Sequence, residues 1–280
     1  MTPSPSSAAT NGRYSTMAPA ISPDTRAASV APSETSSAHT TAPHTAAQTL
    51  PAVLSVLLPV YNEEPTLDVL LDKLLAIDPG VPFEVIAVND ASSDRSGEIL
   101  ASRSDPRLTV IEHRSNRGKG AAVQTALAAA RGEITVIQDA DLEYDPEQLR
   151  ALIAPVVAGE TDVVYGSRFL GSVSDMRRRN RLANLGLTSL TRLLYRTTIT
   201  DMETCYKVIR REVIADLHIE AQRFDMEPEI TARLLRRGHD ILELPIAYEG
   251  RSHDNGKKIG YLDGIEAVLT LIRWRFRSNP

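Results

Sequence analysis

The stretch Val136-Ile137-Gln138-Asp139-Ala140-Asp141-Leu142-Glu143-Tyr144-Asp145-Pro146 decides the reading of this chain. It continues an apolar run from Ile134 to Ile137, which reads as a strand buried in a parallel sheet. It then turns acidic and reaches a proline suited to the first turn of a helix. Asp139 and Asp141 are two apart, so in extended backbone their side chains leave on the same side, and Glu143 extends the set. Carboxylates at the carboxyl end of a strand in an open α/β sheet lie where such sheets bind ligands. Close carboxylates raise each other's pKa, so a cation belongs between them. Mg²⁺ or Mn²⁺ suits all-oxygen ligands and commonly also touches substrate phosphates. The competing reading is a solvated acidic loop that caps the helix at Pro146.

Outward from this stretch, strands and helices alternate. Val53 to Leu58, Glu84 to Val88 and Leu108 to Ile111 read as buried strands. Thr66 to Ile77 carries Leu67, Leu70, Leu71, Leu74 and Leu75 on one helical face. Ser96 to Ser102 is a short helix with Asp94 as its expected N-cap, and the alanine-rich run Ala121 to Ala130 has helix propensity behind it. A helix from Pro146 to about Val157 and a strand from Asp162 to Tyr165 follow. Strand, helix, strand, so repeated, specifies a mostly parallel sheet with helices on both faces. Further on, Gly166 to Phe169 reads as a turn and Met176 to Arg181 as a basic cluster. Leu182 to Tyr195 is an amphipathic helix, Met226 to Arg236 another helix, and Ile241 to Ile246 a late strand. A final helix, Tyr261 to Phe276, has Leu262, Ile265, Val268, Leu269 and Ile272 as its apolar residues.

The 280 residues, 42% hydrophobic and 24% charged, suffice for a substantial core. A net charge of −5 argues against general affinity for nucleic acid. The single cysteine, Cys205, excludes an internal disulfide and a cysteine-based zinc cluster. No segment approaches the roughly 18–20 apolar residues of a membrane span. Residues 1 to about 50, rich in Ala, Ser, Thr and Pro, lack a hydrophobic period and are expected to be a disordered tail ahead of one catalytic domain over 51–280.

Three polar turns follow strand ends: Tyr61 to Glu64, Asn89 to Asp94 and Asp139 to Asp145. In a parallel sheet all three emerge at one edge, where a nucleotide laid across it would meet metal at its phosphates. The G-x-G-x-x-G fingerprint of a dinucleotide site is missing after the first strand, and so is a P-loop. Gly118-Lys119-Gly120 is too short for either.

Leu58-Pro59-Val60-Tyr61-Asn62-Glu63, Val88-Asn89-Asp90-Ala91-Ser92-Ser93-Asp94, Asn116-Arg117-Gly118-Lys119-Gly120 and Asp139-Ala140-Asp141 occur in register. Together they resemble the family 2 inverting glycosyltransferases, with their nucleotide-sugar-binding, GT-A-like α/β fold. Gln138 to Glu143, Gly166-Ser167-Arg168 and the late Lys257-Lys258 are similar to the dolichol-phosphate mannosyltransferase branch and its bacterial polyprenyl-phosphate relatives. The resemblance implies that Pro59, Tyr61, Glu63 and Asp90 contact the nucleoside and that Lys119 lies near the donor. It implies that Asp139, Asp141 and Glu143 hold Mg²⁺ or Mn²⁺ on the diphosphate; Glu143 departs from the glutamine common in the branch. Arg168, with Arg178 or Arg181, would receive the acceptor phosphate, and Arg251 and Lys257 would close over the diphosphate from a loop that matches more loosely.

The implied reaction moves a hexose, mannose or glucose, from a nucleotide diphosphate such as GDP-mannose or UDP-glucose to a polyprenyl phosphate, with inversion. Such an acceptor is already anionic and needs no strong base; expelling the nucleoside diphosphate needs cations. A domain without a spanning segment would then rest on the cytoplasmic face of a membrane, its arginines toward anionic phosphates. The rival readings are the same fold acting on a sugar or protein hydroxyl and a non-catalytic membrane-associated scaffold. Asp201 and Glu203 read either as catalytic carboxylates or, the reading with more weight, as part of a loop that shapes the acceptor pocket.

Overall fold

The computed structural model describes residues 53–250 and 261–278. The expected disordered tail, and Arg251 and Lys257, lie outside the described residues.

Three parallel strands, β1 (Leu54–Val60), β2 (Phe83–Asn89) and β3 (Leu108–Glu112), alternate with α1 (Glu64–Ala76), α2 (Ser96–Ser102) and α3 (Lys119–Ala129). Next come β4 (Ile134–Ile137), a 3-10 turn at Pro146–Gln148, α4 (Leu149–Val157) and β5 (Val163–Ser174). The chain closes through α5 (Arg178–Tyr195), β6 (Lys207–Arg210), α6 (Arg211–Asp216), α7 (Met226–Arg236), β7 (Leu242–Glu249) and α8 (Tyr261–Phe276). The seven strands form one sheet in the order β3-β2-β1-β4-β6-β5-β7. Only β6 runs against its neighbours β4 and β5. The expected mostly parallel α/β architecture is thus what the chain adopts.

Burial explains why these strands read as unbroken apolar runs. Successive side chains of a strand point to opposite faces, yet every residue of β2 and β4 is buried, so both faces are covered. In α1, the i, i+3, i+4, i+7 set Leu67, Leu70, Leu71 and Leu74 is wholly buried, each side chain contributing about 1.5–3 kcal/mol relative to exposure.

The turns after β1 and β2 are stitched together. The N-cap of α2 is Arg95 and not the expected Asp94; Asp94 Oδ1 instead accepts from Ser96 N at 3.0 Å in a local turn before the helix, while its Oδ2 accepts from Glu64 N at the start of α1 (3.0 Å). Ser96 Oγ accepts from Glu63 N at 2.9 Å. These bonds outweigh burial and hold the Asp94 carboxyl below its usual range.

Two further expectations are corrected. Gly166 to Phe169 is not a turn: β5 runs on to Ser174 beside β7, with an irregularity between Ser167 and Ser172. Within that irregularity Ile246 O passes 2.0 Å from where a Cβ on Gly171 would stand, so only glycine lets β7 come so close there. The basic cluster is also not a segment preceding a helix, since Arg178 to Arg181 form the first turn of α5.

α5, α7 and α8 share a small second core around Met202, Ala232, Leu271 and Trp274. α8 buries Ala267, Thr270, Leu271 and Trp274, whereas Leu262, Ile265, Leu269, Ile272 and Phe276 are exposed. On α5, Leu182, Leu185 and Leu193 are exposed too. No helix among the described residues is long and apolar enough to cross a membrane.

Candidate active site

At the carboxyl ends of β1, β2 and β4 a cavity of about 1230 Å³ opens. Pro59, Tyr61, Glu63, Asp90, Lys119, Asp139, Asp141, Glu143 and Arg168 all line it. Residues drawn from five separate stretches of sequence therefore meet at one edge, as the parallel topology requires.

Asp90 organises the floor. Its carboxylate accepts from the backbone N–H groups of Arg117 (2.9 Å) and Gly118 (2.7 Å) and meets His113 Nδ1 at 2.6 Å. It thereby fixes the loop that leads into α3. In that loop Gly118 has φ +91°, and a Cβ on Gly120 would stand 2.4 Å from Ala221 O. The Gly118-Lys119-Gly120 motif thus exists so that the 221–222 backbone can cross the start of α3, where Ala121 N donates to Gln222 O at 3.1 Å. Gly120→Ala is expected to cost about 1–3 kcal/mol by overpacking. A thermal melt should show it as a Tm several degrees lower.

Lys119, projected by that crossing, is the hub of a charge chain. Its Nζ lies 2.8 Å from Asp139 Oδ1 and 3.0 Å from Glu227 Oε1, and Glu227 Oε2 in turn lies 2.8 Å from Lys207 Nζ. Burial alone would push the Lys119 ammonium down, but Asp139 and Glu227 prevail and hold it well above its usual range. Two carboxylates and two ammonium groups alternate, so the chain is neutral as a unit. Glu227 was not singled out from sequence; it lies in the first turn of α7 and lines the cavity.

The acidic turn does not have the extended geometry expected of it. β4 ends at Ile137, and Leu142 adopts a left-handed conformation with φ 61°. Asp141 Oδ1 accepts from Glu143 N at 3.1 Å, and Glu143 Oε2 accepts from Tyr248 OH at 2.6 Å. The competing capping role falls to Asp145, whose side chain accepts from Glu147 N at the 3-10 turn. Among the described residues no three His, Cys, Asp or Glu side chains gather into a closed metal cage. The donor set nevertheless fits a hard cation completed by substrate, since Mg²⁺ is commonly held by one or two carboxylates plus phosphate oxygens.

Behind this turn Tyr144 packs edge-on against Tyr206 and Tyr248, with centroids 4.9 and 5.3 Å away. Arg168 sits above the Tyr248 ring at 5.3 Å. Its Nε and Nη2 donate to the two carboxylate oxygens of Asp201, each at 2.7 Å, and Asp201 is fully buried. Burial opposes the Arg168 charge, but Tyr144 and Asp201 outweigh it and hold its pKa well above the usual value.

Of the basic cluster, Arg177 and Arg179 line the cavity; Arg178 and Arg181 are exposed and do not. The helical period accounts for this difference. Arg179, Ala183, Gly186 and Leu187 share the inward face of α5, and Arg178 and Arg181 lie on others. Ala183 and Leu187, with Ile265, Ala267, Val268 and Leu269 of α8, give the cavity an apolar wall.

Residues 55–217 match the family described as glycosyl transferase family 2. The chain belongs to this family. Among similar proteins, the undecaprenyl-phosphate 4-deoxy-4-formamido-L-arabinose transferase of Pectobacterium carotovorum is 33% identical over 73% of this chain and 62% of its own length. The undecaprenyl-phosphate mannosyltransferase of Micrococcus luteus is 28% identical over 78% of this chain and 92% of its own. The glycosyltransferase AglD of Haloferax volcanii is 29% identical over 81% of this chain, which spans only 38% of that relative. The lipid-phosphate branch that the motifs resemble is therefore represented among the named relatives. Glucosyl-3-phosphoglycerate synthase from Mycobacterium tuberculosis, crystallised with Mn²⁺, UDP-glucose and phosphoglyceric acid, superimposes with a TM-score of 0.65 at 20% identity over 80% of each chain. That likeness concerns the fold.

Proposed function

We propose that this family 2 glycosyltransferase moves a hexose from a nucleotide diphosphate to a polyprenyl phosphate with inversion at the anomeric carbon. The observation that carries this reading is that the acidic turn and the buried arginine open onto one cavity whose outer wall is apolar. A sugar hydroxyl acceptor gains little from such a wall, whereas an isoprenyl chain can bury its apolar surface against it.

In this reading Pro59, Tyr61, Glu63 and Asp90 border the nucleoside, and Lys119 lies beside the diphosphate. Asp139 and Asp141, with Glu143 positioned by Tyr248, are the residues that would hold Mg²⁺ or Mn²⁺. Such an ion, when bound, offsets the charge that develops on the departing diphosphate. Lys119 restrains Asp139 in the meantime, so the turn is not left with unopposed carboxylates. Arg168, clamped by Asp201, presents its guanidinium toward the acceptor phosphate together with Arg177 and Arg179. That phosphate oxygen attacks as an anion, so no strong general base is required of the chain. The exposed leucines of α5 and α8, with arginines on both helices, suit the interface of an anionic membrane leaflet.

The test is transfer from radiolabelled UDP-glucose or GDP-mannose, with Mn²⁺, to undecaprenyl phosphate, set against 3-phosphoglycerate and simple glycosides. Labelled lipid is the expected product with one of the two donors. Label moving only to a soluble hydroxyl would replace this reading with the rival one.

A further inference from the structure

We propose that Glu203 reads the transferred sugar, its carboxyl meeting sugar hydroxyls at the point where the sugar passes from the leaving diphosphate to the acceptor phosphate. This inference rests on the reaction proposed above and replaces the general expectation of a pocket-shaping loop with a specific contact to the sugar.

Glu203 lies on the segment joining α5 to β6 and lines the cavity. Its Oε1 is shut from solvent and accepts no hydrogen bond among the described residues. Buried acceptors are rarely left unused. A floppy surface glutamate would carry no meaning, but this segment is held from every side. Lys207 Nζ donates to the carbonyls flanking Glu203, those of Met202 (3.0 Å) and Thr204. Thr204 Oγ1 donates to Gly166 O at 2.5 Å, and the backbone N–H groups of Thr200 and Asp201 donate to Glu243 at 2.7 and 3.0 Å. A carboxyl placed so firmly, with an oxygen still to be satisfied, is pre-organised for a ligand.

Its position between the charged groups indicates which part of the ligand it meets. Lys207 on β6 and Glu227 on α7, which act on its carboxyl, are joined through Lys119 to Asp139, where the diphosphate is assigned. Arg168 on β5 and Asp201 on its own segment, the pair assigned to the acceptor phosphate, act on the same carboxyl. What lies between a leaving diphosphate and an incoming phosphate is the sugar.

The local charges also suit a neutral carboxyl. Two cations and two anions around Glu203 largely offset one another, and burial then dominates, pushing its carboxyl up to about 7. Protonated, it can donate one hydrogen bond and accept another, which matches adjacent hydroxyls of a hexose. Ionised, it would stand between two anionic groups and repel both. Because the pKa is raised, the working form prevails below about pH 7 and is lost as the pH rises through that value.

The experiment compares the full-length wild-type chain with Glu203→Gln and Glu203→Leu, using UDP-glucose or GDP-mannose, their 2-, 3-, 4- and 6-deoxy analogues, Mn²⁺ and undecaprenyl phosphate. Glu203→Leu should lower kcat/KM by about 10²–10³-fold while thermal shifts produced by UDP or GDP stay unchanged. One deoxy donor should be poor for wild type and no worse again for Glu203→Leu, the coupling expected of a direct contact. Glu203→Gln, which keeps a donor and an acceptor, should retain most activity and lose the decline above about pH 7 that wild type shows.

Undiminished transfer by Glu203→Leu, or losses that simply add for every deoxy donor, would overturn the inference and leave the proposed reaction standing. Equal inactivity of the Gln and Leu variants with all donors would mark Glu203 as a base for the acceptor, which also overturns it. Should Glu203→Leu not fold, the pH profile of Glu203→Gln decides, because a retained decline refutes the assignment. A wild-type chain that transfers to no lipid phosphate overturns the earlier reading and this inference with it.

Discussion

Asp141→Ala is expected to lower sugar transfer by about 10²–10³-fold, the size of effect seen when a group stabilising developing charge is removed, while the fold remains intact. Asp141 is half-buried in a loop, and the bond its Oδ1 accepts from Glu143 N at 3.1 Å closes a local turn. Losing that bond costs about 0.5–1.5 kcal/mol, too little to unfold a chain whose central strands β2 and β4 are buried on both faces. Asp139, by contrast, has its charge engaged by Lys119 at 2.8 Å, and its removal would unbalance the Asp139–Lys119–Glu227–Lys207 chain. Asp141 is therefore the cleaner probe. Asp141→Asn keeps the acceptor for Glu143 N and removes only the charge, so it should be as inactive as the alanine variant. Both should lose the part of the UDP or GDP thermal shift that depends on Mn²⁺. Near-normal transfer by either variant would mean that the acidic turn is a cap and nothing more.

How much of this was legible in the sequence varies with the kind of signal. β1, β2 and β4 announce themselves because strands covered on both faces are apolar without a break, and the polar turns after them mark the ligand edge. The short pair β6 and α6 escaped, since Lys207 to Arg210 carries charged residues at both ends and gains its place from antiparallel pairing with β4 and β5. Gly166 to Phe169 reads as a turn because glycine and serine usually punctuate strands, yet here the glycines admit the neighbouring strand β7 at close range. The site was legible as a set of residues but not as a set of partners. That Lys119 contacts Asp139, that Tyr248 holds Glu143 and that Asp201 clamps Arg168 all depend on packing between distant segments. The arginine cluster shows the same limit from another side: its charge is plain in the sequence, but which arginines face the cavity follows from the exact start of α5.

The Arg168–Asp201 pair yields the largest expected effect on stability. Asp201 is fully buried and Arg168 nearly so, and three bonds join them: Arg168 N, Nε and Nη2 all donate to the Asp201 carboxylate, at 3.0, 2.7 and 2.7 Å. Asp201→Leu strands a guanidinium in the interior, which costs about 3–5 kcal/mol when one partner of a buried ion pair is removed. Removing both charges in an Arg168→Met, Asp201→Leu double variant should restore much of that loss, because well-packed apolar replacements of a buried pair are often close to neutral. Denaturant unfolding of the two single variants and the double gives the coupling directly. Stability and function should then part company. The double variant, though folded, should transfer poorly at low undecaprenyl phosphate while its response to the nucleotide donor stays near normal, because the guanidinium assigned to the acceptor phosphate is gone. If the double variant instead needs more donor and no more acceptor, Arg168 belongs to the diphosphate side. If it is as unstable as Asp201→Leu, the cost arises from the bonds to backbone around position 201 and not from the stranded charge.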